Sequence, residues 1–143
     1  MGVEKSARVE WTGTGLEFHT ELGSGYEFEM RGPASPEGGS PVEFMLAGVA
    51  GCTAMDIAHI LQKRRLSLSG LTVEINGTQA EDPPNVYTDA RIVYIVRGEN
   101  IPPAAVEKAI ELSQDKYCSA SIMFQRAGVN VSTEYRIEEM VAA

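Results

Sequence analysis

The sequence predicts a mixed α+β fold in one domain spanning residues 1–143. Three observations carry that expectation. Short segments with period-two alternation fill the first thirty residues, a long apolar helical stretch follows a capping signal near residue 40, and the remainder alternates between strand-like and helix-like patterns. A chain of 143 residues with 43% hydrophobic and 22% charged residues has globular composition and fits a single core of ordinary size.

The first three strands are read from alternation and punctuation. Ala7 to Trp11 runs into Thr12-Gly13-Thr14-Gly15, a turn signal. Leu16 to His19 alternates apolar with polar and meets Gly23-Ser24-Gly25. Tyr26 to Met30 alternates again, which suggests an antiparallel meander with one wet face. The segment 31–40 (RGPASPEGGS) is a loop by composition.

Ser40-Pro41-Val42-Glu43 is a helix start. Serine can cap, proline suits the first helical position, and a glutamate three residues after the serine completes a capping box. This helix is expected to reach about Arg65, where Lys63, Arg64 and Arg65 would face its negative end. Two strands follow, Leu68 to Thr78 and Val86 to Arg97, with a bend at 81–85. Asn100-Ile101-Pro102-Pro103 opens a second helix running to roughly Lys116. A short third helix runs from Cys118 to about Arg126 and stops at Gly128. Val129 to Tyr135 alternates as a last strand. The predicted order is βββ-α-ββ-αα-β.

Charge and cysteine usage exclude several classes. Twelve basic residues stand against twenty acidic ones, a net charge of −8, and nucleic-acid binding needs a basic surface. The polar N-terminus is not followed by a signal-peptide core, and the apolar run Val42 to Leu61 contains Glu43, Asp56 and His59. It therefore reads as a core helix rather than a membrane span, and a cytoplasmic location is expected. Two cysteines, with neither a CxxC nor an HExxH motif, give no basis for assigning a metal or another cofactor.

In a reducing compartment a cysteine pair points to chemistry rather than to a staple. Cys52 lies in the long helix among Ala47, Gly48, Ala50, Gly51 and Ala54. Asp56, His59 and Lys63 fall within roughly 40° of it on an ideal helix, so the thiol heads a polar stripe. His59 is two turns away, too far to be its base. Glu43, nine residues before Cys52, faces the opposite side of a continuous helix, so the two share a site only if the helix breaks or a second chain contributes. Glu43 is equally well explained as a capping residue. Cys118 begins a helix, where the N-terminal dipole favours a thiolate; it is also explained as a small buried hydrophobe.

These segments resemble the OsmC/Ohr family of peroxide-handling proteins. Gly39-Ser40-Pro41-Val42-Glu43 looks like the family's helix-opening segment, commonly Asn-Pro-Glu-Glu, with only the second acid kept. Leu46-Ala47-Gly48-Val49-Ala50-Gly51-Cys52-Thr53 is similar to the segment carrying its first cysteine, and Lys116-Tyr117-Cys118-Ser119-Ala120-Ser121 to that carrying its second. The local wording is closest to the YhfA-like branch. The resemblance implies an antiparallel sheet wrapped around two long central helices in an intertwined homodimer. It also implies a thiol peroxidase acting on organic hydroperoxides, with Cys52 peroxidatic, Cys118 resolving, and an external thiol or dithiol as reductant. The family's catalytic arginine lies in the N-terminal strand region; Arg31 is the best match here and Arg8 the other. Phe44, Met45, Met55, Met123 and Phe124 are candidates for lining an alkyl pocket or for ordinary core. The competing function is a small-molecule binding or redox-sensing module with little turnover.

Overall fold

The computed structural model describes residues 2–140. Strands β1 (Ala7–Trp11), β2 (Glu17–Leu22) and β3 (Glu27–Arg31) precede helix α1 (Pro41–Lys63). Strands β4 (Ser67–Gln79) and β5 (Tyr87–Glu99) follow, then α2 (Pro103–Leu112), a π-helical turn (Ser113–Tyr117), α3 (Ser119–Arg126) and β6 (Asn130–Glu139). The order is the predicted one, with the π turn added. The chain falls into two compact units, residues 1–45 and 46–143.

The first unit is an antiparallel meander, β1-β2-β3. Its turns use glycine where the backbone must turn left-handed, as at Gly13 and Gly25, both at φ 95°. The strands are too few to bury a face. Among their residues only Thr20 is buried, while Val9 and Trp11 remain more than half exposed. The capping box forms as the sequence predicts: Glu43 Oε1 accepts the Ser40 amide at 2.9 Å, and the Glu43 amide donates to Ser40 Oγ at 3.4 Å.

The second unit holds the core. Val49, Thr53, Ile57 and Leu61 are the buried positions of α1, four residues apart, so they form one stripe. Ile57 and Leu61 join Ile92, Tyr94 and Val96 of β5 and Val106 and Ala109 of α2 in one apolar cluster. By length and composition alone α1 could cross a membrane; its buried stripe makes it a core helix here. Strand β5 is central, between β4 and β6, which explains why Ala90, Ile92, Tyr94, Ile95 and Val96 are all buried. Gly77 on β4 permits a close approach: a Cβ there would lie 2.7 Å from the Tyr87 ring and 2.8 Å from Leu46 Cδ2.

One expectation needs correction. The sheet is not a single antiparallel one: the described residues form two three-stranded sheets, and β5 pairs with β6 in parallel. The helical segment α2 to α3 acts as a crossover that returns the chain to the starting end of β5, and such a connection makes the next strand parallel. The described residues of the one chain contain a single long helix, 23 residues, with α2 and α3 at 10 and 8, so a pair of long central helices would take one from each of two chains. The first helix ends at Lys63, close to the expected Arg65, which itself adopts a left-handed φ of 57° just past the end.

Candidate functional site

The site begins with helix periodicity. Cys52 and Asp56 stand one turn apart on α1, beside the buried Thr53. The third element arrives from the far end of the chain. After α2 the helix widens into the π turn and ends at Cys118, whose amide donates to the Ser113 carbonyl at 2.8 Å. Insertions of this kind recur at functional sites because they re-aim side chains. Cys118 then caps α3: its backbone is extended, and its sulfur accepts the Ser121 amide at 3.4 Å.

This brings the two sulfurs together across 66 residues (118 − 52). The Sγ atoms of Cys52 and Cys118 and a carboxylate oxygen of Asp56 all lie within 4.8 Å of one another. Both thiols are free. Cys118 is fully buried, and Cys52 and Asp56 are partly exposed. Burial pushes the Cys118 thiol up to about 12, with Cys52 and Asp56 adding to the rise and the Ser121 amide opposing it. The Cys118 thiol points toward the Val49 carbonyl at 4.0 Å.

A buried polar network lies behind the sulfurs. Ser113 Oγ donates to the Asp56 carboxylate at 2.9 Å and shares a hydrogen bond with Thr53 Oγ1 at 2.8 Å. Thr53 in turn shares one with the Tyr94 hydroxyl at 2.7 Å. The Gln114 side-chain amide donates to Tyr94 at 3.1 Å, and its oxygen accepts from Ser121 Oγ at 2.5 Å. The network thus runs from Asp56 to the first turn of α3, which Cys118 caps. Burial of Tyr94 raises its hydroxyl above the ordinary range. Each of these hydroxyls has a partner, as buried polar groups require.

The other predicted residues lie elsewhere or serve differently. Arg31, at the end of β3, pairs with Glu17 at 3.0 Å and Glu37 at 2.7 Å rather than with Glu43. Glu43 is occupied by its cap, and α1 runs through Gly48 without a break. Arg8 is an exposed strand residue paired with Glu10. His59 and Lys63 are exposed. The five apolar candidates divide: Phe124 belongs to the core cluster, Phe44 stacks on Phe28 at 4.7 Å, and Met45, Met55 and Met123 are exposed. An apolar concavity of about 340 Å³ sits instead on the first unit, lined by Val9, Leu16, Phe18, Met30, Arg31 and Pro41.

Sequence reasoning placed Asp56 on the Cys52 stripe but gave it no role. It missed Thr53, Tyr94, Ser113 and Gln114 altogether. Only the i, i+4 spacing signalled Asp56; the rest are joined by tertiary packing and leave no local pattern.

Comparisons with known proteins agree with this architecture. Residues 32–134 match the protein-family model described as OsmC-like protein, a span that includes both cysteines. The chain is 37% identical to Protein YhfA of Escherichia coli strain K12 over 137 residues, covering 96% of this chain and 98% of that one. The crystal structure of a hypothetical protein from Aquifex aeolicus VF5 superposes with a TM-score of 0.85 at 26% identity, covering 99% and 100% of the two chains. The fold is also that of the organic hydroperoxide resistance protein OhrB of Bacillus subtilis, at a TM-score of 0.63 and 14% identity, covering 94% and 98%. With the strand and helix order, the paired thiols and a near full-length relative in accord, the chain belongs to the OsmC-like protein family.

Proposed function

We propose that this protein is a thiol-dependent peroxidase that reduces organic hydroperoxides. The observation that carries the reading is the convergence of the Cys52 and Cys118 sulfurs within 4.8 Å. Two thiols that close can pass through a sulfenic acid to a disulfide. The fold shared with an organic hydroperoxide resistance protein supports the choice of substrate.

The partly exposed Cys52 is the attacker, because Cys118 is fully buried and its thiol is held protonated. The Cys52 thiolate attacks the distal peroxide oxygen; the O–O bond breaks, and the departing alkoxide takes a proton to leave as an alcohol. Cys52 is then a sulfenic acid. The Cys118 sulfur displaces its oxygen, which leaves as water carrying the Cys118 proton, and the disulfide forms. An external dithiol returns two electrons by exchange. No cofactor enters this sequence. Arg31, paired with Glu17 and Glu37, and Glu43, held in its cap, carry no step of this reading. The protein works in the cytoplasm as a homodimer, whose second copy would cover the exposed Met45 and Met55 of α1.

Cumene hydroperoxide consumption with dihydrolipoamide tests the reading. Wild type turns over, Cys52→Ser is inactive, and Cys118→Ser consumes one equivalent and stops or requires added monothiol. Equal activity in wild type and Cys52→Ser, or no Cys52–Cys118 disulfide in peroxide-treated wild type, overturns it. A disulfide that forms without turnover identifies a redox sensor instead.

A further inference from the structure

The same three donors carry a second chemistry. Two thiols and a carboxylate converge within 4.8 Å, from α1 and from the cap of α3. A tetrahedral zinc-type centre with metal–sulfur bonds near 2.3 Å and metal–oxygen bonds near 2.1 Å places its donors roughly 3.6–3.8 Å apart. The present separations, at most 4.8 Å, exceed that spacing by roughly 1 Å or less. The donor set is selective: thiolates favour zinc-class ions, and the hard cations magnesium and calcium prefer oxygen alone.

Outer partners are also in place. Metal ligands are usually held by a second layer of hydrogen bonds. Here Ser113 Oγ donates to Asp56 at 2.9 Å and is itself anchored to Thr53, and the Ser121 amide donates to Cys118 Sγ. Asp56 forms no ion pair among the described residues, so its charge is uncompensated within this cluster. Cys52 and Asp56 are partly exposed, so the cluster is open to solvent on their side.

We propose that Cys52, Asp56 and Cys118 bind a thiophilic divalent cation of the zinc class in the reduced protein, with one coordination position left to water. Binding releases the two thiol protons to solvent, forms two metal–sulfur bonds and one metal–oxygen bond, and changes no oxidation state. A Cys52–Cys118 disulfide removes both sulfur donors, so occupancy and oxidation exclude each other. This inference does not rest on the peroxidase reading.

Anaerobic titration of the reduced full-length protein with Co²⁺ tests it, with no peroxide present. One equivalent per chain is expected, showing thiolate-to-cobalt charge transfer in the near ultraviolet and intense tetrahedral bands in the visible, displaced by Zn²⁺. Cys52→Ser and Cys118→Ser should each lose most of the charge-transfer intensity. Ser113→Ala should weaken binding about 10–100-fold, as loss of an outer partner does, and Asp56→Asn, which removes a ligand, by more than Ser113→Ala. Circular dichroism confirms that each variant is folded. Absence of a charge-transfer band in wild type, or unchanged affinity in both Asp56→Asn and Ser113→Ala, overturns the proposal, as does undiminished binding by the disulfide form. A protein that reduces peroxide but binds no cobalt loses only this inference.

Discussion

The buried polar network of residues 46–143 and the charged pairs of residues 1–45 are held in opposite ways, although the second unit also carries exposed pairs such as Arg91 with Glu134. In residues 46–143 the hydroxyls of Thr53, Tyr94 and Ser113 are buried, mutually bonded and tied to Asp56. In residues 1–45 the charged pairs stand in water: His19 with Glu27 and Glu29, Arg8 with Glu10, Arg31 with Glu37. Buried networks act at low dielectric and punish any broken link, so they hold geometry. Exposed pairs are screened and contribute little. The thiol pair sits beside the first kind of structure, and that is what a reaction between two specific sulfurs needs.

The contrast can be broken by substitution. Thr53→Val should cost about 1–3 kcal/mol in urea denaturation, since it strips a partner from both Tyr94 and Ser113 in a site closed to water. A loss below a few tenths of a kcal/mol would mean that the network adjusts freely and does not fix the sulfurs.

A middle-sized effect is expected at alkaline pH. The Cys118 thiol sits at about 12 in the fold against an ordinary 9.0, so the folded state favours the protonated form. The associated stability is fully present below about pH 9 and is lost as pH rises from 9 toward 12. Iodoacetamide at pH 9 should therefore label Cys52 in the folded protein and reach Cys118 only after unfolding. Equal labelling of both thiols would contradict the burial.

The smallest effect belongs to the exposed side. His19 is raised to about 9 from an ordinary 6.5 by its hydrogen bonds to Glu27 and then Glu29. Its protonated form is favoured in the fold, so this contribution is complete below pH 6.5 and disappears as pH rises through about 9. An imidazole titration followed by NMR should show a high midpoint at low ionic strength that moves back toward 6.5 in concentrated salt. A midpoint near 6.5 without salt would show that the carboxylates do not hold the ring.

Much of the architecture was legible because it is local. Period-two alternation between glycine-rich turns marked β1 to β3, and Ser40 with Glu43 marked the start of α1. Asp56 was legible as a neighbour of Cys52, since helix periodicity alone sets that relation. The parallel pairing of β6 was not legible, because strand direction depends on where a crossover returns the chain. Nor was the π turn at Ser113–Tyr117, which interrupts a segment that reads as ordinary helix.

The sequence by itself determined the order of elements, the cap of α1 and the two cysteine-bearing segments, all of which follow from contacts a few residues apart. Only the tertiary structure decided that Cys118 meets Cys52 and Asp56, and that Ser113, Thr53 and Tyr94 stand behind them. Those encounters cross 41 to 66 positions of chain (94 − 53 and 118 − 52) and arise from packing α1 and the π turn against β5, which no local pattern encodes.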